Sequence, residues 1–221
     1  MRIFRKTVLI LLIVFFGSSI LAVAVYRFVP VEWTPLMTIR ALRPKGTEVQ
    51  RQAEKNRQHE WVSYDEISEW VPRAVIAAED GRFYQHHGFD FEEIGHAIEE
   101  RKAGGRSRGA STISQQTAKN VFLWPAHSWV RKGLEAYFTV LIELMWSKER
   151  IMEVYLNSIE MGPGIYGIEA AARHYFGRSA AELSKGQAAL IAISLPNPLK
   201  RDPAHPTAYM LKRQRVIMRY M

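Results

Sequence analysis

The chain has no cysteine among its 221 residues, which excludes structural disulfides, thiolate chemistry and cysteine-ligated zinc. Acidic residues are in the minority, 22 against 30 lysines and arginines, and the formal net charge is +8. This surplus indicates an anionic partner, such as nucleic acid, anionic lipid head groups or a phosphorylated substrate, without choosing among them. Sustained strand-type alternation and internal repeats are also missing, so we expect a mainly α-helical fold.

One long stretch, residues 7–26, contains no charged side chain and is long enough for a helix that crosses the hydrocarbon core of a bilayer. Three basic residues lie within the preceding segment 1–6. The positive-inside rule therefore predicts a cytoplasmic tail at 1–6, a membrane helix at 7–28 and the rest of the chain outside. A cleaved signal peptide is the alternative, but its apolar core is usually shorter and ends at a small-residue cleavage site.

Residues 29–60, which we call the lead-in segment, are rich in proline and charge and are predicted to be a linker or partly extended. A main domain is expected over residues 61–221. Within it, Pro72 is predicted as a first helical residue, and five side chains are predicted to cap helix N-termini: Ser63, Asp90, Ser147, Ser184 and Thr207.

The stretch from Val121 to Trp146 is apolar on nearly every side of a predicted helix that begins near Ser128. Such a helix must be buried all round or lie partly in lipid. Charged residues interrupt it too often for a membrane span. A surface resting in the outer leaflet and an ordinary buried core both fit this pattern.

Two adjacent carboxylates, Glu79 and Asp80, follow an apolar helical run at 72–78. Apolar surroundings raise the pKa of a carboxyl toward the range that a general base or acid needs. The alternative is a solvated helix C-terminus, and the residues of this stretch alone do not decide between the two.

A second candidate site begins at the basic loop 106–108 and continues into a hydroxyl-rich helix start at Ser111 and Thr112. Free amides at a helix N-terminus bind anions such as phosphate, although an ordinary capped helix explains the same residues. Further along, Arg131 and Glu135 are four residues apart on a helix. They form an ion pair by default, or hold a phosphate and a metal ion if their face lines a cleft.

Four segments in order resemble the signature motifs of the peptidoglycan glycosyltransferases, glycosyltransferase family 51. They are EDGRFYQHHG at 79–88, GASTISQQTAKN at 109–120, RKGLE at 131–135 and KERIMEVYLN at 148–157. ARHYFG at 172–177 and QAALIAISLPNP at 187–198 are also similar to that family. The resemblance covers residues 61–221 and is to the monofunctional, membrane-anchored form of the enzyme.

The resemblance implies a lysozyme-like fold in two lobes, with a small hydrophobic jaw against the membrane. It also implies inverting transfer of a lipid-linked glycan onto the 4-hydroxyl of N-acetylglucosamine in lipid II, with β-1,4 bonds formed and undecaprenyl pyrophosphate released. Glu79 would be the general base, and Glu135 would assist the pyrophosphate. The residues expected to bind substrate or shape its site are Asp80, Phe83, His86, Gly109, Ser111, Thr112, Gln116, Lys119, Asn120, Arg131 and Lys132.

A divalent cation, Mg²⁺ or Mn²⁺, could be bridged by Glu135 in such a site. The expected location is the inner membrane, single-pass, with the catalytic domain on the periplasmic side. Proteins of the division machinery or other cell-wall synthases could be partners, whereas nucleic acid is not expected outside the cytoplasm. Two rival functions are a lytic hydrolase on the same scaffold, which needs no cluster of phosphate-binding cations, and a non-enzymatic scaffold of the division machinery.

Overall fold

The computed structural model describes residues 1–44, 46–105, 109–126 and 128–221. Within these ranges the chain is mainly helical, as predicted, with eleven α-helices. The helices are α1 (Arg2–Tyr26), α2 (Pro35–Leu42), α3 (Glu48–Lys55), α4 (Trp70–Glu79), α5 (Phe91–Lys102), α6 (Ile113–Phe122), α7 (Trp129–Met145), α8 (Lys148–Ser158), α9 (Ile168–Phe176), α10 (Lys185–Ser194) and α11 (Ala208–Ile217).

Helix α1 is the one helix in the described part of the chain that is long and apolar enough to cross a membrane. It starts at Arg2, before the predicted span at 7–28, because a helix can continue through basic residues beyond the apolar run. Its second half packs against α7, where the hydroxyls of Ser19 and Tyr137 are 2.7 Å apart. The indole Nε1 of Trp146 also donates to the carbonyl of Val23 at 2.8 Å. Helix α1 is therefore attached to the domain along its C-terminal half.

The lead-in segment is more regular than the linker expected from its composition, because it forms α2 and α3. Thr34 caps α2 by accepting from the amide of Met37, and Thr47 forms a capping box with Gln50 at the start of α3. Caps of this kind satisfy amides that otherwise have no partner in the helix, so they stabilise short helices.

All five predicted N-caps lie at helix starts. Ser63 and Ser184 form capping boxes, the first on a 3-10 turn at Tyr64–Glu66, and the other three accept from a backbone amide three residues on. Pro72 is an exception to the predicted pattern, since it is the third residue of α4 and Trp70 is the first.

Three short strands lie beside the helices in the described ranges, although the sequence shows no strand-type alternation. They are β1 (Gln58–His59), β2 (Glu160–Gly162) and β3 (Ile165–Tyr166), in the spatial order β1-β3-β2. Strand β1 pairs parallel with β3, and β2 pairs antiparallel with β3. The lead-in segment thus contributes an edge strand to the main domain. Strands of two or three residues are too short to show a periodicity.

The core is built around α8, in which Ile151, Met152, Val154, Tyr155 and Leu156 are all buried. Helix α6 packs against both α7 and α8, so the stretch that begins at Ser111 is fixed from two sides. A second cluster joins α10 to α11, and α10 also packs against α4. Val75 of α4 and Ile113 of α6 belong to one buried hydrophobic cluster, so the two helices share a core.

Helix α7 and its flanks combine the two alternatives left open by the sequence. Phe138, Ile142 and Trp146 are buried in the core. In contrast, the side chains of Trp129 and Leu144 are 92% and 77% exposed. One face of α7 is therefore ordinary core, and the other presents large apolar side chains outward.

Candidate active site

Glu79 is the last residue of α4, so its carboxylate extends from the end of a packed helix. Burial raises the pKa of the Glu79 carboxyl above its ordinary value. A hydrogen bond from Gln116 and the charges of Lys119 and Arg201 act in the opposite direction without cancelling the effect of burial. The group is therefore a stronger base than an exposed glutamate, as a proton acceptor in catalysis needs to be.

Gln116 connects α6 to this carboxylate. Its Nε2 donates to Glu79 Oε2 at 3.0 Å, and its Oε1 accepts from the buried hydroxyl of Tyr155 at 3.4 Å. Because Tyr155 lies in the core on α8, its hydroxyl fixes the orientation of the side-chain amide of Gln116. The three side chains form a chain of contacts from the core to the base.

Asp80 ties three parts of the site together. Its carboxylate accepts from the backbone amide of Ile113 at 2.9 Å and from Nε2 of His86 at 3.0 Å. The amide of Gly88 donates to Nδ1 of the same imidazole at 3.2 Å, so Nε2 carries the proton. Both side chains are buried. Asp80 and His86 therefore position the end of α4 against the start of α6.

Gly88 lies where the loop after α4 passes close to α7. Its φ of +92° is in the region that favours glycine, and an added Cβ would lie 2.8 Å from Cγ2 of Thr139. The glycine of this motif is therefore required by backbone geometry and by close packing.

The start of α6 differs from the open anion site that the sequence suggested. The amide of Ile113 is used by Asp80, and the amide of Gln115 by the side chain of Thr112. Thr112 Oγ1 itself donates to the carbonyl of Gly88 at 2.6 Å. These two amides are therefore not free for a phosphate. The basic loop at 106–108 of that prediction lies outside the described part of the chain.

Glu135, on α7, lies between two cations. Arg131 Nη1 donates to its Oε2 at 2.6 Å, and Lys132 Nζ donates to its Oε1. Nε of Arg131 also donates to the carbonyl of Ala126 at 2.5 Å, which fixes the guanidinium. The default ion pair predicted from the i, i+4 spacing is present. Lys132 adds a second cation beside the same carboxylate.

Lys119 faces the same group from α6. Burial lowers the pKa of its ammonium, the charges of Arg131 and Lys132 lower it further, and those of Glu135 and Glu79 raise it. Lys119 is thus electrostatically linked to both predicted catalytic glutamates.

Two adjoining depressions contain most of the predicted residues. The first, of about 420 Å³, we call the cationic cavity; it is lined by Ser111, Gln116, Lys119, Asn120, Arg131, Lys132 and Glu135 among others. The second, of about 300 Å³, we call the Glu79 groove; its lining includes Glu79, Asp80, Gly109, Ser111 and Thr112. Ser111 lines both, and Gln116 joins the first to Glu79 of the second. Predicted residues from separate motifs are therefore brought together at one place.

Phe83 and His86 line neither depression. The ring of Phe83 has no exposed surface, and Nζ of Lys148 lies 4.5 Å from its centroid. Their contacts are those of residues that support the site from within the core, where they would not touch a ligand.

Glu135 does not fit the divalent cation that the sequence suggested, because its two oxygens accept from Arg131 and Lys132. One other group among the described residues could hold a metal ion: single ligand atoms of Asp80, His86 and Asp90 lie within 4.8 Å of one another. Asp80 and His86 of this group already form hydrogen bonds, since Asp80 accepts from both His86 and the amide of Ile113.

Sequence reasoning missed several residues around these depressions. Arg40 of α2 and Glu160 of β2 line the cationic cavity, and Arg213 of α11 lines the Glu79 groove. Arg40 and Arg213 come from segments far from the motifs, and Glu160 lies just after the KERIMEVYLN segment but outside it, so no motif identifies these three residues. Tyr155 lies inside the KERIMEVYLN segment, but its contact with Gln116 could not be inferred from spacing.

Comparison with known proteins agrees with this geometry. Residues 45–221 match the family described as Transglycosylase. A protein of Bacteroides thetaiotaomicron named biosynthetic peptidoglycan transglycosylase is 62% identical over 214 residues, which cover 96% of this chain and 84% of that protein. Proteins of the same name from Caulobacter vibrioides and Pseudomonas aeruginosa are 52% and 48% identical, over 98% and 94% of this chain and 90% and 88% of their own lengths.

Proposed function

This chain belongs to the transglycosylase family, and from that premise we propose that it is a peptidoglycan glycosyltransferase that polymerises glycan chains from lipid II during cell-wall synthesis. Domains of this family are lysozyme-like, in agreement with the mainly helical fold. The observation that supports the proposal most is the contact between Gln116 and Glu79, because it joins a base of raised pKa to a cavity rich in cations.

The proposed reaction is an in-line displacement at the anomeric carbon of the lipid-linked donor. The acceptor 4-hydroxyl is a weak nucleophile, so a carboxylate must take its proton as the new bond forms. Glu79 fills this role, and its hydrogen bond from Gln116 directs Oε2. The displacement inverts the anomeric centre and yields a β-1,4 bond.

The leaving group is a diphosphate that gains negative charge as the bond to the sugar breaks. Preorganised cations stabilise such charge strongly in a site that is partly shielded from water. Lys119, Arg131 and Lys132 supply these cations. Glu135 holds Arg131 and Lys132 in place through its ion pairs. A lytic hydrolase would have no use for this cluster, because it releases no diphosphate.

A divalent cation, if bound, would neutralise charge on diphosphate oxygens. The candidate ligands for it are Asp80, His86 and Asp90. Asp80 already accepts from His86 and the amide of Ile113, and Asp90 accepts from the amide of Glu93.

The location that we propose is the inner membrane, with the domain on the outer side. The exposed apolar surface of α1 supports membrane insertion, and the basic residues of 1–6 support a cytoplasmic N-terminus. Trp129 and Leu144 of α7 are oriented outward on the helix that packs against α1, so they would reach the outer leaflet. An enzyme held there meets its lipid-linked substrates at high effective concentration.

The test is incubation of the purified full-length chain with labelled lipid II in detergent or vesicles, followed by separation of polymer from monomer. We expect polymer from the unaltered protein and none from Glu79→Gln. Glu99→Gln, an exposed glutamate on α5, is the matched control and should polymerise normally. Polymer formation by Glu79→Gln would exclude the base assignment. Release of fragments from finished peptidoglycan without polymer would indicate the lytic rival.

A further inference from the structure

The cationic cavity has a second wall that the motifs do not supply. Leu36 and Arg40 of α2 and Glu160 of β2 line it, while α2 packs against α6. Leu36 and Arg40 lie before residue 45, where the match to the family begins. The lead-in segment therefore contributes directly to the predicted substrate site.

Arg40 holds Glu160 in a fixed position. Nη2 of Arg40 donates to Oε2 of Glu160 at 2.9 Å, and Nε lies 2.9 Å from Oε1. Behind them, Glu54 lies 4.0 Å from Nε of Arg40 and accepts from the buried hydroxyl of Tyr166 at 3.1 Å. A two-point contact between a guanidinium and a carboxylate is directional, so the carboxylate has little freedom to move.

Glu160 nevertheless has unused acceptor capacity. Its side chain is 9% exposed where it lines the cationic cavity, and Arg40 approaches each of its two oxygens. A carboxylate has about four acceptor sites, so Glu160 can still accept from an N–H or O–H group of a ligand in that cavity.

The charges of the two walls differ. Lys119, Arg131 and Lys132 oppose the single carboxylate of Glu135 on the motif wall, which favours an anion. On the second wall, Arg40 is offset by Glu160, and the pKa of Glu54 behind it is raised to about 7, so this wall is neutral or acidic. A diphosphate is attracted to one side and a hydrogen-bond donor to the other.

We propose that Glu160, held by Arg40, positions the sugar-peptide part of the lipid-linked substrate by accepting a hydrogen bond from one of its hydroxyl or amide groups. The diphosphate then lies at the motif wall, and the polarity of the cavity fixes the direction in which the substrate enters. This inference rests on the proposed function, because it assigns a subsite to the same substrate.

The test compares two ligands that differ only in the sugar-peptide. Glu160→Gln should raise the KM for lipid II about tenfold, the effect of one hydrogen bond to a charged group, while kcat changes by less than about threefold. Its affinity for undecaprenyl diphosphate, which lacks the sugar and peptide, should be unchanged. Glu48→Gln, an exposed acid of the same lead-in segment paired with Arg51, is the matched control and should alter neither value.

The inference is overturned if Glu160→Gln binds lipid II normally, or if it loses affinity for both ligands equally, as a purely structural role requires. If that variant does not fold, the double variant Arg40→Met with Glu160→Met leaves neither of these charges unpaired and carries the same expectation. Failure of the unaltered protein to polymerise lipid II would instead remove the proposed function, so the two failures are distinguishable.

Discussion

Gln116 Nε2 lies 3.0 Å from Glu79 Oε2, and this contact joins α6, which carries Lys119, to the end of α4. A hydrogen bond to the charged form of a carboxyl lowers its pKa, whereas burial raises it. Glu79 is subject to both, with burial the larger effect. The proton affinity of the proposed base is therefore set by a balance that a single substitution can change.

Replacing Gln116 with Leu should move the acid limb of the pH profile to higher pH. The change removes the hydrogen bond that lowers the pKa of Glu79, so the carboxyl stays protonated, and inactive as a base, up to a higher pH. The measurement is kcat/KM for lipid II polymerisation across the pH range. Tyr155→Phe removes only the longer contact behind Gln116 and should cause a smaller shift in the same direction. An acid limb that does not move, or moves to lower pH, would contradict this role for Gln116.

Replacing Asp80 with Asn should destabilise the fold. One oxygen of Asp80 accepts from the amide of Ile113, and Nε2 of His86 lies 3.0 and 3.1 Å from the two oxygens. Asn replaces one oxygen with an NH2 donor, which would face the N–H of His86 or of Ile113. Such a buried donor without an acceptor costs about 1–3 kcal/mol in the free energy of unfolding. Denaturant unfolding in detergent measures the loss, and Asp65→Asn at an exposed position is the control. Equal unfolding free energies for Asp80→Asn and the unaltered chain would show that Asp80 does not stabilise the contact between the end of α4 and the start of α6.

The helix starts could be predicted from sequence because a cap is a local contact. Ser128 and Ser147 each accept from an amide three residues on, so residue type and position carry the information. The lead-in segment was predicted less well. Its helices are short and its prolines dominate the pattern, yet Thr34 and Thr47 provided the same local signal.

The site was predictable only as far as its motifs extend. The resemblance selected Glu79 and Gln116 together, and the structure brings them into contact. It also selected Phe83, which lies wholly in the core, because a motif does not separate residues that touch a ligand from residues that support those that do. Arg40 and Glu160 are 120 residues apart in sequence, so no spacing could have paired them.

Trp129 should lie in the lipid of a reconstituted membrane. Its side chain is 92% exposed on α7, whereas that of Trp146 is 5% exposed in the core. Tryptophan prefers the head-group region, where an apolar ring and a polar N–H are both satisfied. The emission of each tryptophan is the difference in fluorescence between the unaltered chain and its Trp→Phe variant. In vesicles of brominated lipid, the emission of Trp129, obtained from Trp129→Phe, should be strongly quenched. The emission of Trp146, obtained from Trp146→Phe, should not. Equal quenching of the two would exclude contact of this face with lipid.

Stability should fall as pH rises through neutrality because of Glu54. Burial and the neighbouring Glu160 raise the pKa of Glu54 to about 7, whereas the hydrogen bond from Tyr166 and the charge of Arg40 lower it in part. The folded state therefore holds a proton that the unfolded state releases above its ordinary pKa of 4.5. Stability is greatest below that value and declines until the pH passes about 7, with a total loss on the order of 3 kcal/mol.

The variant Glu54→Gln removes this titration, so its free energy of unfolding should fall less with pH. The free energy of unfolding of the variant relative to that of the unaltered chain should therefore rise between pH 5 and pH 8. Denaturant unfolding at both pH values measures the difference. Glu79, whose pKa is also raised, contributes a decline of the same sign that Glu54→Gln leaves in place. Glu66→Gln is the opposite control, because its hydrogen bonds with Ser63 lower the pKa of that exposed carboxyl. If the pH dependence of Glu54→Gln matches that of the unaltered chain, the proton is not held at Glu54.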